Sequence, residues 1–221
     1  FHAAILRDHT INRVVLNLGG MANMTVLPAD STFTVYGYDT GPANVLMDAW
    51  CRTSLKQPFD KNGAWAASGR VDNELLADML AHPFFAKLPP KSTGREDFHL
   101  DWLLEFFNGD HPNVLAENIQ ASLLALTAQS VVDAVNRASF NEGELWLCGG
   151  GAYNKALWQL LADKLPHYTL HSTEEIGIAP TWLEACAFAW LAKQTLAGFS
   201  GNLPAVTGAQ GERILGGIYQ T

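Results

Sequence analysis

Short apolar runs divide the first part of the chain into three predicted strands. Each run is continuous or alternating and is bounded by glycine, proline or polar residues, as is typical of β-strands. The runs lie at residues 13–18, 21–27 and 33–38. The dipeptide Gly19-Gly20 separates the first two, and the third stops at Asp39. The pattern predicts an antiparallel meander of three strands joined by tight turns.

After Asp39 the apolar positions recur every three or four residues, which is the period of an amphipathic helix. This pattern predicts a helix over residues 42–55, with Pro42 in its first turn, where proline loses no hydrogen bond. The tail from Gly198 onward is predicted to be irregular. Between these segments the pattern predicts helices at residues 112–139, 153–165 and 182–196, and strands at residues 144–148 and 168–171.

Residues 57–110 differ in character from the chain on either side. Short helical patterns at residues 72–81 and 100–107 are separated by turn-rich pieces. We expect a helical insertion on the main domain here, and not a separate domain. A three-strand meander followed by alternating helices and strands predicts an α/β fold with one five-stranded mixed sheet and flanking helices.

The composition limits the possible classes of protein. The chain has 221 residues, of which 48% are hydrophobic and 16% charged, enough for one large domain with its own core. Its net charge of -8 argues against a nucleic-acid partner and against binding to an anionic membrane. Three cysteines at unrelated spacings predict reduced thiols in a cytoplasmic protein and no zinc site. The longest apolar stretch, residues 185–192, is too short to span a bilayer.

Asp39 is the first candidate for a catalytic residue. It follows a predicted strand and precedes a tight turn and a helix N-terminus, where α/β proteins position reactive groups and bind anions. An aspartate at this position can instead cap the helix that follows. Thr40 can supply that cap, however, and this leaves Asp39 available for chemistry.

Two glycine clusters follow predicted strands and are candidates for contact with a nucleotide. Gly19-Gly20 joins the first two strands, where a backbone without side chains lets its amides approach a phosphate. Residues 149–151, all glycine, join a strand to a helix. A plain hairpin turn and a flexible connection are the alternatives on local grounds. Asn17 and Asn23 favour a functional turn, because each interrupts an apolar strand with an amide that needs a partner.

Other polar residues carry weaker signals. Glu184 lies near the start of the last predicted helix, where a carboxylate often only complements the helix dipole. The loop at residues 91–96 has two cations and two hydroxyls, which suit a phosphate or an anionic sugar substituent and equally suit a solvated turn. The seven histidines show no metal-ligand spacing.

Taken together, the motifs resemble the signatures of the anhydro-N-acetylmuramic acid kinase family. They occur in the family's order over essentially the whole chain, at residues 16–23, 37–44, 60–69, 90–96, 148–154, 184–189 and 202–209. The family belongs to the superfamily of hexokinases, actin and heat-shock chaperone ATPases. The resemblance therefore implies an actin-like ATPase (ribonuclease H-like) lobe, whose β-β-β-α-β-α-β-α order matches the predicted one.

The resemblance also implies an activity. Enzymes of this family use ATP and Mg²⁺ to open the 1,6-anhydro ring of anhydro-N-acetylmuramic acid with water and to phosphorylate O6. The product is N-acetylmuramic acid 6-phosphate, and the reaction serves the recycling of bacterial cell wall. The expected partner is thus a small-molecule sugar, and a homodimer is possible.

Site roles follow from the resemblance, position by position. Asp39 matches the family's catalytic base, which deprotonates the water that attacks C1. Glu184 and Asn23 are assigned to the sugar site, and Gly19 and Gly20 match the second phosphate loop. The ligands of the metal ion stay open. The adenosine loop is matched by Gly149, Gly150 and Gly151.

The chain departs from the family pattern in three places. Ala43 stands where the family often has glycine, and Thr181 and Trp182 occupy the region of the usual acidic residue near Glu184. The family's first lobe, with its own phosphate loop, is not in this sequence. We therefore expect residues 1–221 to be the C-terminal lobe of a two-lobe sugar kinase, and to be inactive alone.

Two other functions fit parts of the pattern. A non-catalytic sugar- or nucleotide-sensing relative would keep the fold without needing a base at Asp39. A dinucleotide-dependent oxidoreductase would also place glycines after strands. It is disfavoured because neither glycine cluster has the GxGxxG spacing and the leading meander is not a βαβ unit.

Overall fold

The computed structural model describes residues 1–109 and 111–219 of the chain. Its strands form one five-stranded mixed sheet in the order β3-β2-β1-β4-β5. They are β1 (Arg13–Leu18), β2 (Met21–Leu27), β3 (Tyr36–Pro42), β4 (Gly143–Cys148) and β5 (Tyr168–Ser172). Strand β2 pairs antiparallel with β1 and β3, whereas β4 pairs parallel with β1 and β5. The predicted α/β fold with a five-stranded mixed sheet is confirmed.

Helices pack on this sheet and connect its strands. They are α1 (His2–Leu6), α2 (Asn44–Leu55), α3 (Ala64–Ser68), α4 (Asn73–Leu80), α5 (Pro83–Ala86), α6 (Leu100–Asn108), α7 (Ala116–Val135), α8 (Lys155–Lys164), α9 (Leu183–Ala197) and α10 (Pro204–Thr207). Without α1, α10 and the short helices α3 to α6, the order is β-β-β-α-α-β-α-β-α, with α2 and α7 both between β3 and β4. In the described part of the chain, no helix is both long and apolar enough to cross a membrane.

The short helices α3 to α6 lie between α2 and α7, in the segment where we expected a helical insertion. Four short helices, α1, α3, α5 and α10, were not predicted, because four or five residues are too few to display a helical period. Helix α7 begins at Ala116, four residues later than predicted, since residues 112–115 are not helical.

Strand β3 continues beyond the position where we expected it to end. It runs through Asp39 to Pro42, and Gly41 still pairs with Ala22 on β2. Because β3 is an edge strand of the sheet, a proline without an amide donor is tolerated at its end. The expectation that Asp39 ends a strand was wrong, and Asp39 lies in the middle of an edge strand.

The start of helix α2 also differs from the prediction. The helix begins at Asn44, so Pro42 is not in its first turn. Thr40 does not cap it, because the Thr40 hydroxyl donates to the carbonyl of Ala22 over 3.3 Å.

The main hydrophobic core lies on one face of the sheet, under α2, α7 and α8. Helix α7 is buried along most of its length and carries polar residues inside the core. The hydroxyls among them have partners within the fold: the Thr127 hydroxyl, for example, donates to Leu123 O over 3.2 Å and to Pro42 O over 3.1 Å. The second bond ties α7 to the end of β3.

A second, smaller hydrophobic cluster covers part of the opposite face. It joins α1 and the start of α9 to the sheet, and its buried members include Leu6, Val15, Trp146, Cys148 and Leu183. This face is less completely covered than the first, and the polar residues of the candidate site project from it.

Candidate active site

Four side chains form a row across the sheet. Asp39 on β3 lies opposite Asn23 on β2. Asn23 lies opposite Asn17 on β1, which in turn is paired with Cys148 on β4. Residues directly opposite one another project from the same face of a sheet, so this row shares the face of Cys148 and the second cluster.

Asp39 is bound by three consecutive residues of the loop that follows α5. Its amide donates to Lys91 O over 3.1 Å. Its carboxylate oxygen Oδ2 accepts the Ser92 hydroxyl at 2.8 Å and the Thr93 amide at 3.0 Å. No hydrogen bond from the described residues reaches Oδ1. One oxygen of the carboxylate is therefore held by the protein, while the other remains available.

A cleft of about 410 Å³, the Asp39 cleft, opens beside this carboxylate. Asn23 also lines it, so the structure brings these two predicted site residues together. Three residues of the tail complete the lining, at and just after helix α10. They are Val206, Thr207 and Gly208. These residues belong to the family motif at residues 202–209, which had no predicted place in the site.

The Gly19-Gly20 turn between β1 and β2 is held by the start of α2. The amide of Asn44 donates to Gly19 O over 3.0 Å, and the amides of Ala43 and Val45 donate to Gly20 O over 2.9 and 3.1 Å. The amides at the start of α2 are thus occupied by carbonyls of the protein. Anion binding by this helix start, which the sequence suggested, does not fit that arrangement.

Two glycines of the second cluster are required by packing. A Cβ at Gly149 would come within 2.5 Å of Asn17 Oδ1, and the φ of +78° at Gly149 also favours glycine. A Cβ at Gly151 would come within 2.6 Å of Leu18 Cβ. These two positions therefore allow the loop to pack closely against β1, and the fold alone accounts for them.

The other three predicted glycines are not required by the fold. A Cβ at Gly19 would meet no atom closer than 3.5 Å, and at Gly20 none closer than 3.9 Å. At Gly150 the nearest atom would lie 4.0 Å away. The fold would tolerate a side chain at each of these three positions. The absence of one leaves the backbone accessible, which suits the close approach of a ligand.

A second cleft of about 330 Å³, the Glu184 cleft, lies between β1, the loop at residues 149–151 and α9. It brings Glu184 together with the predicted residues Gly19, Gly149 and Gly150. Asn17 and His2 also line this cleft. Burial lowers the pKa of His2 to about 4, so the imidazole is neutral at neutral pH. Burial raises the pKa of the Cys148 thiol, which also lines the cleft, to about 12, and this disfavours Cys148 as a nucleophile.

A third cleft of about 470 Å³, the Gly150 cleft, lies on the other side of the same loop. Met47 and Phe59 supply apolar surface, and Asp48 supplies a carboxylate whose pKa is raised by burial. Gly150 and Thr181 line both this cleft and the Glu184 cleft. The two spaces therefore adjoin at Gly150.

Structural contacts explain another family motif beside the Gly150 cleft. Asp60 accepts the amides of Trp65 and Ala66, each at 2.9 Å, and so holds the start of α3. A Cβ at Gly63 would clash with Asn154 Oδ1, which itself accepts the Leu157 amide at 3.1 Å and caps α8. These residues shape the cleft by fixing its walls.

The predicted site residues therefore fall into two groups. Asp39 and Asn23 line the Asp39 cleft, whereas Glu184, Gly19, Gly149 and Gly150 line the Glu184 cleft. The row of paired residues connects the two groups, since Asn23 faces the first cleft and its partner Asn17 the second. The other two predicted glycines line neither of these clefts; they are Gly20 and Gly151.

Sequence reasoning did not assign several residues that the structure places in the clefts. Asn17 was noted as an amide that interrupts an apolar strand, but no role in the site was predicted for it. Ser92 belongs to a loop that was considered for a phosphate, and its contact with Asp39 spans 53 residues of sequence. No local pattern could have revealed that contact.

Comparison with known proteins identifies the family. A model of the anhydro-N-acetylmuramic acid kinase family matches residues 1–221. The chain belongs to this family. The resemblance drawn from the motifs is confirmed, and the family explains why they occur in this order.

Curated members of the anhydro-N-acetylmuramic acid kinase family align with almost the whole chain. The protein of Acinetobacter baylyi is 50% identical over 231 residues, covering 99% of this chain and 61% of the relative. That of Coxiella burnetii is 52% identical over 219 residues, covering 99% and 58%. This chain therefore spans about three fifths of the length of these relatives.

One solved structure is similar at lower identity. It is an activator of the 2-hydroxyisocaproyl-CoA dehydratase from Clostridium difficile with bound ADPNP. The match has a TM-score of 0.47 and 14% identity, and it covers 82% of this chain and 58% of the other.

Proposed function

We propose that this chain is the part of an anhydro-N-acetylmuramic acid kinase that carries the catalytic base and much of the nucleotide site. The protein would act in the cytoplasm on a small sugar, with ATP as phosphoryl donor. The observation that carries the proposal is the state of Asp39. One carboxylate oxygen is held by two hydrogen bonds, and the other accepts none from the described residues and lies beside a cleft large enough for a sugar.

Asp39 would act as the general base on water. The free oxygen, Oδ1, accepts a proton from a water molecule whose oxygen forms a bond to C1 of the anhydro sugar. The bond between C1 and O6 breaks, and O6 takes the γ-phosphoryl group of ATP, leaving ADP. Asn23 lies opposite Asp39 and lines the same cleft, so its amide is suited to hydrogen-bond a sugar hydroxyl.

The nucleotide would lie along the loop at residues 149–151. The Gly150 cleft offers apolar surface from Met47 and Phe59 for a flat base, and it adjoins the Glu184 cleft at Gly150. Phosphates that extend into the Glu184 cleft would reach Gly19. The space beside Gly19, Gly20 and Gly150, which the fold does not need, fits such a close approach.

Magnesium would be bound mainly by the nucleotide. The described residues contain no cluster of three or more His, Cys, Asp or Glu side chains that could hold a metal ion. Mg²⁺ on a nucleotide needs only one or two protein oxygens, because phosphates and water supply the others. Asn17, beside Gly19, is an oxygen-bearing side chain suited to that task, and Glu184, which the family resemblance assigned to the sugar, borders the same cleft. Bound there, the ion would offset negative charge on the phosphates.

We further propose that residues 1–221 form one lobe of a two-lobe kinase, with the segment at about 57–110 as a helical insertion. The curated relatives are longer by about two fifths of their length, which leaves room for a second lobe. A site shared between lobes would make this chain inactive by itself. Formation of sugar phosphate by the purified 221-residue chain with ATP, Mg²⁺ and the anhydro sugar would contradict that expectation.

Substitution of Asp39 in the full-length protein tests the proposed function. D39N should lower kcat by roughly 10²- to 10⁴-fold, since it removes the general base, and leave ATP binding by calorimetry unchanged. D101N changes an exposed aspartate of α6 away from the clefts and serves as the matched control. In H₂¹⁸O the label should enter the product at C1.

Each result decides a different point. Full turnover by D39N would contradict the role of Asp39 as base. If the unsubstituted enzyme formed no sugar 6-phosphate from the anhydro sugar, the proposed reaction itself would be wrong. ATP binding without turnover in the unsubstituted protein would instead favour a sensing relative.

A further inference from the structure

We propose that Ser92 is a positioning residue for the reaction, because its hydroxyl orients the Asp39 carboxylate so that Oδ1 faces the substrate water. The inference rests on the proposed function and concerns the same cleft. It adds a residue that acts through Asp39, with no chemical step of its own.

The two oxygens of the Asp39 carboxylate differ in their hydrogen bonds. Ser92 Oγ donates to Asp39 Oδ2 over 2.8 Å, and the Thr93 amide donates to the same oxygen over 3.0 Å. Two donors on one oxygen fix the rotation of the carboxylate about its last bond. A general base must be aligned with the proton that it removes, and a misplacement of 1 Å can cost about 10²-fold in rate.

The loop that carries Ser92 is fixed by contacts that do not involve Asp39. Lys91 Nζ donates to Phe84 O over 3.2 Å and lies 4.3 Å from the centre of the Phe84 ring. The Thr93 hydroxyl donates to Asp97 Oδ2 over 2.6 Å. Phe98, just beyond, is fully buried in the main core. These contacts hold the loop in place independently of Asp39, so the loop can in turn hold the Asp39 carboxylate.

A backbone hydrogen bond is the third contact between Asp39 and this loop. The Asp39 amide points away from β2 and donates to Lys91 O over 3.1 Å. Main-chain and side-chain atoms of Asp39 are thus held by the same short segment. Of these three bonds, the one from the Ser92 hydroxyl can be removed by a single side-chain change without altering the backbone.

Steady-state kinetics of the full-length enzyme test the proposal. S92A should lower kcat roughly 10- to 100-fold, while KM for the sugar and for ATP stays within about twofold. S92T keeps the hydroxyl and should restore kcat to within about threefold of the unsubstituted enzyme. S68A removes an exposed hydroxyl that donates only to Trp65 O and is the matched control.

A purely structural role for Ser92 predicts a different pattern. Loosening of the loop would raise KM for the sugar, since Lys91 and Ser92 line the Asp39 cleft, and would lower the melting temperature. T93V, which removes only the bond to Asp97, would then reproduce the S92A profile. If S92A did not fold, S92C and S92T would be compared instead. Their side chains are similar in size, but the thiol is a weak hydrogen-bond donor and the hydroxyl a strong one.

The outcomes separate this inference from the proposed function. Unchanged kcat in S92A, or failure of S92T to restore it, would overturn the positioning role while turnover by the unsubstituted enzyme upheld the reaction. A profile shared by S92A and T93V would also overturn it. Absence of turnover in the unsubstituted enzyme would remove the reaction and this inference together.

Discussion

Asn44 binds the carbonyl of Gly19 twice. Its backbone amide donates to Gly19 O over 3.0 Å, and its side-chain nitrogen donates to the same oxygen over 2.8 Å. The side chain also donates to Leu18 O over 2.9 Å. One asparagine therefore connects the start of α2 to the turn that we assign to phosphate.

Replacing this side chain should weaken both the fold and the nucleotide site. N44A removes the side-chain donor of Leu18 O and one of the two Asn44 donors to Gly19 O, and we expect a loss of about 1–2 kcal/mol in the free energy of unfolding. ATP affinity should fall as the turn loosens. Urea denaturation and calorimetry measure the two effects. N73A removes an exposed asparagine side chain on α4 and should change neither; equal effects from both variants would contradict this assignment.

Substitution by alanine should have different effects at two neighbouring glycines, on stability at Gly151 and on ATP binding at Gly150. G151A places a Cβ 2.6 Å from Leu18 Cβ, so overpacking should lower the free energy of unfolding by about 1–3 kcal/mol. In G150A the nearest atom of the described residues to the new Cβ is Asn44 Nδ2 at 4.0 Å, so its stability should stay within about 0.5 kcal/mol of the unsubstituted protein. Its ATP dissociation constant should nevertheless rise about tenfold. A stable G150A with unchanged affinity would show that no ligand approaches this position.

Stability should fall in alkaline solution because of a buried phenol. Burial raises the pKa of Tyr168 to about 12, and its hydroxyl donates to Phe140 O over 2.9 Å. In the unfolded chain the phenol ionises near 10, so between pH 10 and 12 only the unfolded state loses this proton. The free energy of unfolding therefore decreases as pH rises through this window.

The Y168F variant isolates that contribution. Without the phenol, the decrease above pH 10 should be shallower by up to about 1.4 kcal/mol per pH unit, measured by urea titrations at several pH values. Y219F, at a residue that is 93% exposed, should leave the slope unchanged. Parallel pH profiles for Y168F and the unsubstituted protein would show that Tyr168 ionises alike in both states.

The sheet could be predicted from the sequence because its signals are local. Apolar runs and the Gly19-Gly20 turn located β1 and β2, and the buried run before Gly149 located β4. The end of β3 could not be predicted in this way. Thr40, Gly41 and Pro42 have the composition of a turn, yet pairing with β2 across a bulge keeps them extended. A long-range contact outweighed the local preference.

The candidate site could be predicted only where the family motifs marked it. Asp39 and Glu184 stood out, but the roles of the five predicted glycines look alike in sequence. Only the distances to Leu18 and Asn17 separate glycines needed for packing from those that leave space for a ligand. The contact of Ser92 with Asp39 and the place of Thr207 in the cleft depend on how distant segments meet.

The loop that holds Asp39 also shields an exposed edge of the sheet. Edge strands offer unpaired amides and carbonyls to other chains, which is a route to aggregation and strand exchange. At Asp39 the outward amide of β3 is already used by Lys91 O. A variant that released β3 from this loop would lose the support of Asp39. It would also expose an edge strand, and we expect it to aggregate more readily than the unsubstituted protein.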